Sequence, residues 1–161
     1  SDKTEKKILK IHLRHPNINK SNYEESYKMG LATNHEKNII ENFDEFEINC
    51  KKLDEFYFNN KISFIKIDVE GHERSVLFGA KETIHKCRPI LIIEIEQRHI
   101  SYSISEVFNI ILNMNYDGYL IRNNKMEPLS SFNYEIDQAP YKNNVKNKNY
   151  INNFIFISNE K

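Results

Sequence analysis

The apolar residues fall into short runs separated by polar stretches, and their spacing changes from run to run. "ISFIKID" (62–68) and "ILIIEIE" (90–96) are nearly continuous and rich in β-branched residues, which predicts strands, the second buried on both faces. Between them Val76, Leu77, Ala80 and Ile84 recur at helical spacing with charges opposite, predicting one amphipathic helix from His72. Arg88-Pro89 should end it, because proline disfavours helix in the residue before it. Ser103 and Glu106 have capping-box spacing ahead of Val107, Phe108, Ile111 and Leu112, which predicts a second helix. A turn is expected over 115–118, then strands at "YLIRN" (119–123) and "NFIFIS" (153–158). Upstream, "ILKIHL" (8–13) reads as a strand, "NFDEFEIN" (42–49) as a half-buried strand, and "KKLDEFYF" (51–58) as a short helical turn. Residues 17–37 and the Asn-, Lys-, Tyr- and Pro-bearing stretch 122–150 read as loop.

This alternation predicts an α/β protein, with residues 1–161 as a single domain. The unit 62–96 is a βαβ crossover, so its strands should be parallel. In open sheets of this kind ligands bind outside the carboxyl ends of the strands. Asp68 and Glu70 stand at one such end, Glu94 and Glu96 at the next.

Composition narrows the function. Charge is balanced at 23 basic and 23 acidic residues, so no global field draws the chain to nucleic acid or a membrane surface. No apolar run approaches the ~20 residues of a membrane helix, and no signal segment opens the chain. Only Cys50 and Cys87 occur, without metal-ligand spacing, which argues for a reducing, cytoplasmic compartment and against zinc. Magnesium on the four carboxylates is a minor alternative, and no metal ligand is assigned.

The stretch "FIKIDVEGHERSVLFGAKETIHKCRPILIIEIE" resembles the FkbM-type methyltransferase family. The matching positions are Lys66 through Gly71, Glu73, Val76-Leu77, Gly79-Ala80, and Pro89 with Glu94; "CKKLDEF" upstream looks like the family's Leu-Asp segment. The resemblance implies a Rossmann-like class I methyltransferase sheet that uses S-adenosylmethionine. Residues 62–68 would be its fourth strand, 90–96 its fifth, and 153–158 a last, antiparallel strand. Such enzymes hold the cofactor on a glycine loop after the first strand. Here the four glycines, Gly30, Gly71, Gly79 and Gly118, lie far apart. The chain therefore looks like the later, C-terminal part of such a domain, truncated before its cofactor-binding strands. It begins on Ser1 rather than Met. In the complete fold the first strand pairs with the fourth, so 62–68 should have an unpaired edge, filled either by "ILKIHL" (8–13) or by a second copy with which the chain self-associates.

Asp68 is the first candidate for catalysis and for contact with the cofactor, and Glu70 and Gly71 are further cofactor-side candidates. Glu70 reads equally as a turn or capping residue, and Gly71 as a backbone position that a side chain would block. Glu94 could orient an acceptor hydroxyl, or bond to Lys66 or a neighbouring backbone. His99 is a candidate general base, with an exposed loop histidine as the alternative. His72 and His85 read as surface residues, and His12, His15 and His35 receive no role. The family resemblance implies O-methylation of a hydroxyl on a sugar, glycan or other small molecule. The alternative is a degenerate, non-catalytic α/β module used in binding or assembly.

Overall fold

The structure is a computed structural model that describes residues 5–12, 32–33 and 43–160. The chain divides into two compact units, Thr4–Lys51 and Lys52–Lys161. In the first, β1 (Glu5–His12) pairs antiparallel with β2 (Ala32–Thr33) and along its whole length with β3 (Phe43–Cys50). The strands expected near 8–13 and 42–49 are thus present, in a sheet of their own. The rest of the loop expected over 17–37, with His15 and His35, lies outside the described residues.

The second unit holds a mixed sheet in the order β4-β5-β8-β6-β7: β4 Phe64–Ile67, β5 Ile90–Glu94, β6 Tyr116–Arg122, β7 Lys125–Pro128, β8 Asn153–Ser158. β4 and β5 are parallel, and β8 runs antiparallel beside β5, as the class I methyltransferase reading requires. Alternation puts Ile67, Leu91, Ile93, Leu120, Phe154 and Phe156 on one face. They form one core with Leu77, Ala80 and Ile84 below β4–β5 and with Ile104, Val107, Phe108 and Ile111 from the following helix. Phe108 meets Phe132 and Phe154 edge-on, at ring separations of 5.6 and 4.8 Å. β5 is buried on that face alone: Ile90 is exposed and Ile92 half-buried, because every helix in the core cluster lies on the opposite side.

The helix expected from His72 onward is two helices, α1 (Glu73–Gly79) and α2 (Lys81–Cys87). Ala80, at φ −118° and ψ 7°, leaves the helical region, and its N–H bonds Leu77 three residues back. The break frees backbone donors at the start of α2, and Asp54 accepts two of them, from Glu82 (3.0 Å) and Thr83 (2.8 Å). Asp54 belongs to the turn Leu53–Glu55 inside the "KKLDEFYF" stretch. Arg88, left-handed at φ 50°, caps α2 immediately before Pro89. α3 (Ile104–Leu112) starts at Ser103, whose hydroxyl accepts from the Ser105 N–H. Glu106 does not close the capping box; it pairs with Arg74 at 3.2 Å.

Two readings of the C-terminal part need correction. Gly118 is inside β6, not a turn: a Cβ there would lie 2.6 Å from the Leu129 side chain, so the close packing of the strand accounts for the glycine. Residues 122–150 are irregular only in part: short elements fill the stretch up to Tyr141, and turns alone continue over 142–150. Asn123 and Asn124, both at positive φ, turn β6 into β7, a pattern that suits the twist of a two-residue hairpin. A short helix α4 (Tyr134–Asp137) follows. Its Asp137 carboxylate takes two bonds from Arg122 and one from the Asn133 N–H. Gln138, buried, donates to the carbonyls of Ile95 and Ile151 and accepts from the Gln97 N–H, tying this segment to the end of β5.

Candidate functional site

Beyond Ile67 the chain must reverse from β4 into α1, and two consecutive residues at positive φ, Glu70 (46°) and Gly71 (97°), make the turn. A Cβ on Gly71 would lie 2.4 Å from the carbonyl oxygen of His99. Glycine is therefore required by both its dihedral and the approach of the neighbouring loop. The first residue of α1, Glu73, folds back, and its Oε1 accepts the Gly71 N–H at 2.9 Å. The capping role open to Glu70 thus falls to Glu73. Glu73 is only 1% exposed, and its second oxygen, Oε2, has no hydrogen-bond partner.

The second wall comes from the exit of β5. Beyond Glu94 lie Ile95 and Glu96, then the turn Gln97–His99. Asn152, just before β8, reaches across with both amide hydrogens, one to Glu94 Oε1 (2.9 Å) and one to Glu96 Oε1 (3.1 Å). Glu96 is buried and also accepts from Arg98 and from the Tyr150 hydroxyl (2.7 Å), and His99 Nε2 lies 3.6 Å from it. Lys66 lies between the two walls, 3.4 Å from Asp68 and 3.7 Å from Glu94.

Together these groups enclose a cavity of about 210 Å³ lined by Asp68, Glu70, Glu73, Glu94, Glu96, Arg98, His99, Val145 and Asn152. Asp68, Glu70, Glu94 and His99, singled out from the sequence, all line it, and Gly71 stands behind against the His99 backbone. His99 is in a turn and mostly buried rather than on an exposed loop. Glu73, Asn152 and Tyr150 had no role in the sequence reading. Glu73 was visible only as a motif position, and the other two belong to the stretch read as loop or to its edge.

Electrostatics separates the carboxylates. Burial, the charge of Asp68 and the contact with Glu96 push Glu94 up to about 7. Burial also acts against the Glu96 anion, but hydrogen bonds from Arg98, Tyr150 and Asn152 outweigh it and hold Glu96 at about 2. Glu73 is raised, first by burial and further by Asp68 and Glu96, against the bond from the Gly71 backbone. Burial and its bond to Glu96 raise the Tyr150 phenol. One carboxylate is thus a fixed anion, while a neighbour titrates near neutrality. Among the described residues, no three His, Cys, Asp or Glu side chains converge in a geometry that could hold a metal ion. Nor is any helix there long and apolar enough to cross a membrane.

The family model described as "Methyltransferase FkbM domain" matches residues 5–119. A solved structure, methyltransferase FkbM from Methylobacillus flagellatus KT, is similar at 23% identity and a TM-score of 0.44. That similarity covers 68% of this chain and 23% of the other, so the chain spans less than a quarter of that protein's length. No curated protein matches the sequence.

Proposed function

The chain belongs to the FkbM methyltransferase family, and on that premise we propose that it forms part of an S-adenosylmethionine-dependent O-methyltransferase acting on a hydroxyl of a sugar, glycan or other small molecule. The observation that carries this reading is the placing of Glu94: a carboxylate on the cavity wall at the exit of β5, held by Asn152 and Lys66, which burial and the charge of Asp68 push up to about 7. A base poised near the working pH is what abstraction of a hydroxyl proton needs.

The residues present fit the cationic part of the methyl donor. Asp68 and Glu70 put exposed carboxylates at the exit of β4, where a positive group is favoured. The donor supplies a methyl group on a sulfonium. The chain's residues then have three tasks. Glu94 would accept the proton of the acceptor's O–H, whose oxygen would take the methyl group that the donor's sulfonium supplies when bound. Asn152 and Lys66 hold Glu94 in place. His99 and Asp68 position the acceptor within the cavity, since orientation supplies much of the rate of an in-line displacement.

The test is methyl transfer to hydroxyl acceptors with labelled S-adenosylmethionine. Glu94→Gln should lower kcat by about 10²–10⁴-fold and remove the acid limb of the rate profile near pH 7. Unchanged kcat and pH profile in that variant would exclude Glu94 as the base. A second reading, a non-catalytic α/β binding or assembly module, is favoured by one feature: no two of the four glycines lie close enough to form a cofactor loop. Failure of the chain to bind S-adenosylhomocysteine, together with absence of transfer, would support it.

A further inference from the structure

The five carboxylates around the cavity outnumber the cations beside them. Arg98 is engaged by Glu96, and Lys66 is divided between Asp68 and Glu94. An acidic cluster alone would be unremarked surface chemistry. The decisive feature is Glu73 Oε2: a carboxylate oxygen on a cavity-lining side chain, 1% exposed, with no hydrogen-bond donor. Leaving such an oxygen unmatched is unfavourable, so it calls for a donor, and the local surplus of negative charge calls for a positive one.

We propose that this cavity recognises a protonated amine on the acceptor molecule, with Glu73 Oε2 receiving one of its N–H groups and Asp68 and Glu94 flanking it. The inference rests on the methyltransferase reading only for the word acceptor. A divalent metal is the wrong donor, since no three of the described acidic side chains converge on one point. An ammonium group carries three diverging N–H donors and suits oxygens spread around a cavity. The volume, about 210 Å³, is below that of a drug-sized pocket and admits an amine-bearing unit of roughly one sugar ring. Burial and neighbouring charges already raise Glu73 and Glu94 toward their neutral forms. A bound cation would reverse this and expel protons.

The experiment titrates the full chain with glucosamine, charged at pH 6.5, and with N-acetylglucosamine and glucose, which are neutral. Isothermal titration in two buffers of different ionisation enthalpy reads binding and proton release together. Glucosamine should bind at least tenfold more tightly than either neutral sugar and release protons. Glu73→Gln, which keeps the Oε1 acceptor, should abolish that preference. Asp68→Asn, at an exposed position, should weaken it and guards against a folding defect in the first variant. Equal binding of the three sugars, no saturable binding of glucosamine, or an unchanged preference in folded Glu73→Gln would overturn the proposal. Amine-selective binding with neither methyl transfer nor S-adenosylhomocysteine binding would favour the non-catalytic reading and leave this one standing. Transfer to neutral polyols with no amine preference would do the reverse.

Discussion

Gly71 is held by two constraints, a φ of 97° and the carbonyl of His99 at 2.4 Å from any Cβ. Gly71→Ala should therefore cost more than the roughly 1–2 kcal/mol of a left-handed residue alone, read as a lower denaturation midpoint, with ligand binding at the cavity impaired as the His99 turn shifts. Glu94 and Glu96 make opposite contributions to the pH dependence of stability. Glu94, raised to about 7 from an ordinary 4.5, holds its proton in the folded state after the unfolded chain has lost it. Stability therefore falls as pH rises from about 4.5 to about 7. Glu96, lowered to about 2, stabilises above 4.5, and that contribution is lost as pH falls toward 2. Glu94→Gln should flatten the first decline, on the order of 1–3 kcal/mol, in urea unfolding between pH 4.5 and 7. An unchanged slope would show that Glu94 does not titrate there. Asp68, Glu70 and Glu94 were legible because a strand ending in a carboxylate announces its own exit. Glu73 was not, since its importance comes from folding back onto Gly71 and losing all solvent, which no spacing records.

At the scale of elements, Asp54 shows how a distant turn can complete a helix. Ala80 has no side chain to cap α2, and the Asp54 carboxylate supplies the missing acceptor from 28 residues upstream. Asp54→Ala should lower stability by about 1 kcal/mol, and Asp54→Asn should recover most of it; equal stability of all three would mean that the cap contributes nothing. This contact explains why a Leu-Asp pair sits ahead of β4, which the sequence pattern displayed without a reason. The strands and α3 were readable because their apolar positions repeat at fixed periods. The break at Ala80 was not, because the apolar spacing runs across it unbroken. The short elements within 122–141 were not readable for a different cause. Their order comes from polar anchors, Asp137 on Arg122 and Gln138 on the ends of β5 and β8, and from a hairpin built on two asparagines rather than the usual glycine. Polar residues of this kind look like loop until their partners are known.

At the scale of the whole molecule, β4 is an edge strand of the five-stranded sheet among the described strands, and the sheet face opposite the core carries exposed apolar side chains. β4 pairs only with β5 among the described strands. Ser63 O accepts the Ile90 N–H, so alternation turns the N–H and C=O of Phe64 and Lys66 outward, away from β5. The register places Phe64 beside Ile90, and Ile121 beside Met126, on the face opposite the core; their exposures are 51%, 43%, 45% and 55%. An unpaired, apolar edge continuous with an apolar face is a template for a further strand. A second copy offers the same edge, and a two-fold axis would let each β4 pair antiparallel with the other. The expected outcome is a concentration-dependent dimer in light scattering. Phe64→Pro removes an outward N–H and an exposed ring but no bond to β5, so it should yield a monomer with unchanged circular dichroism. A wild-type chain that stays monomeric at millimolar concentration, or a Phe64→Pro variant that dimerises as before, would place any association elsewhere than on β4.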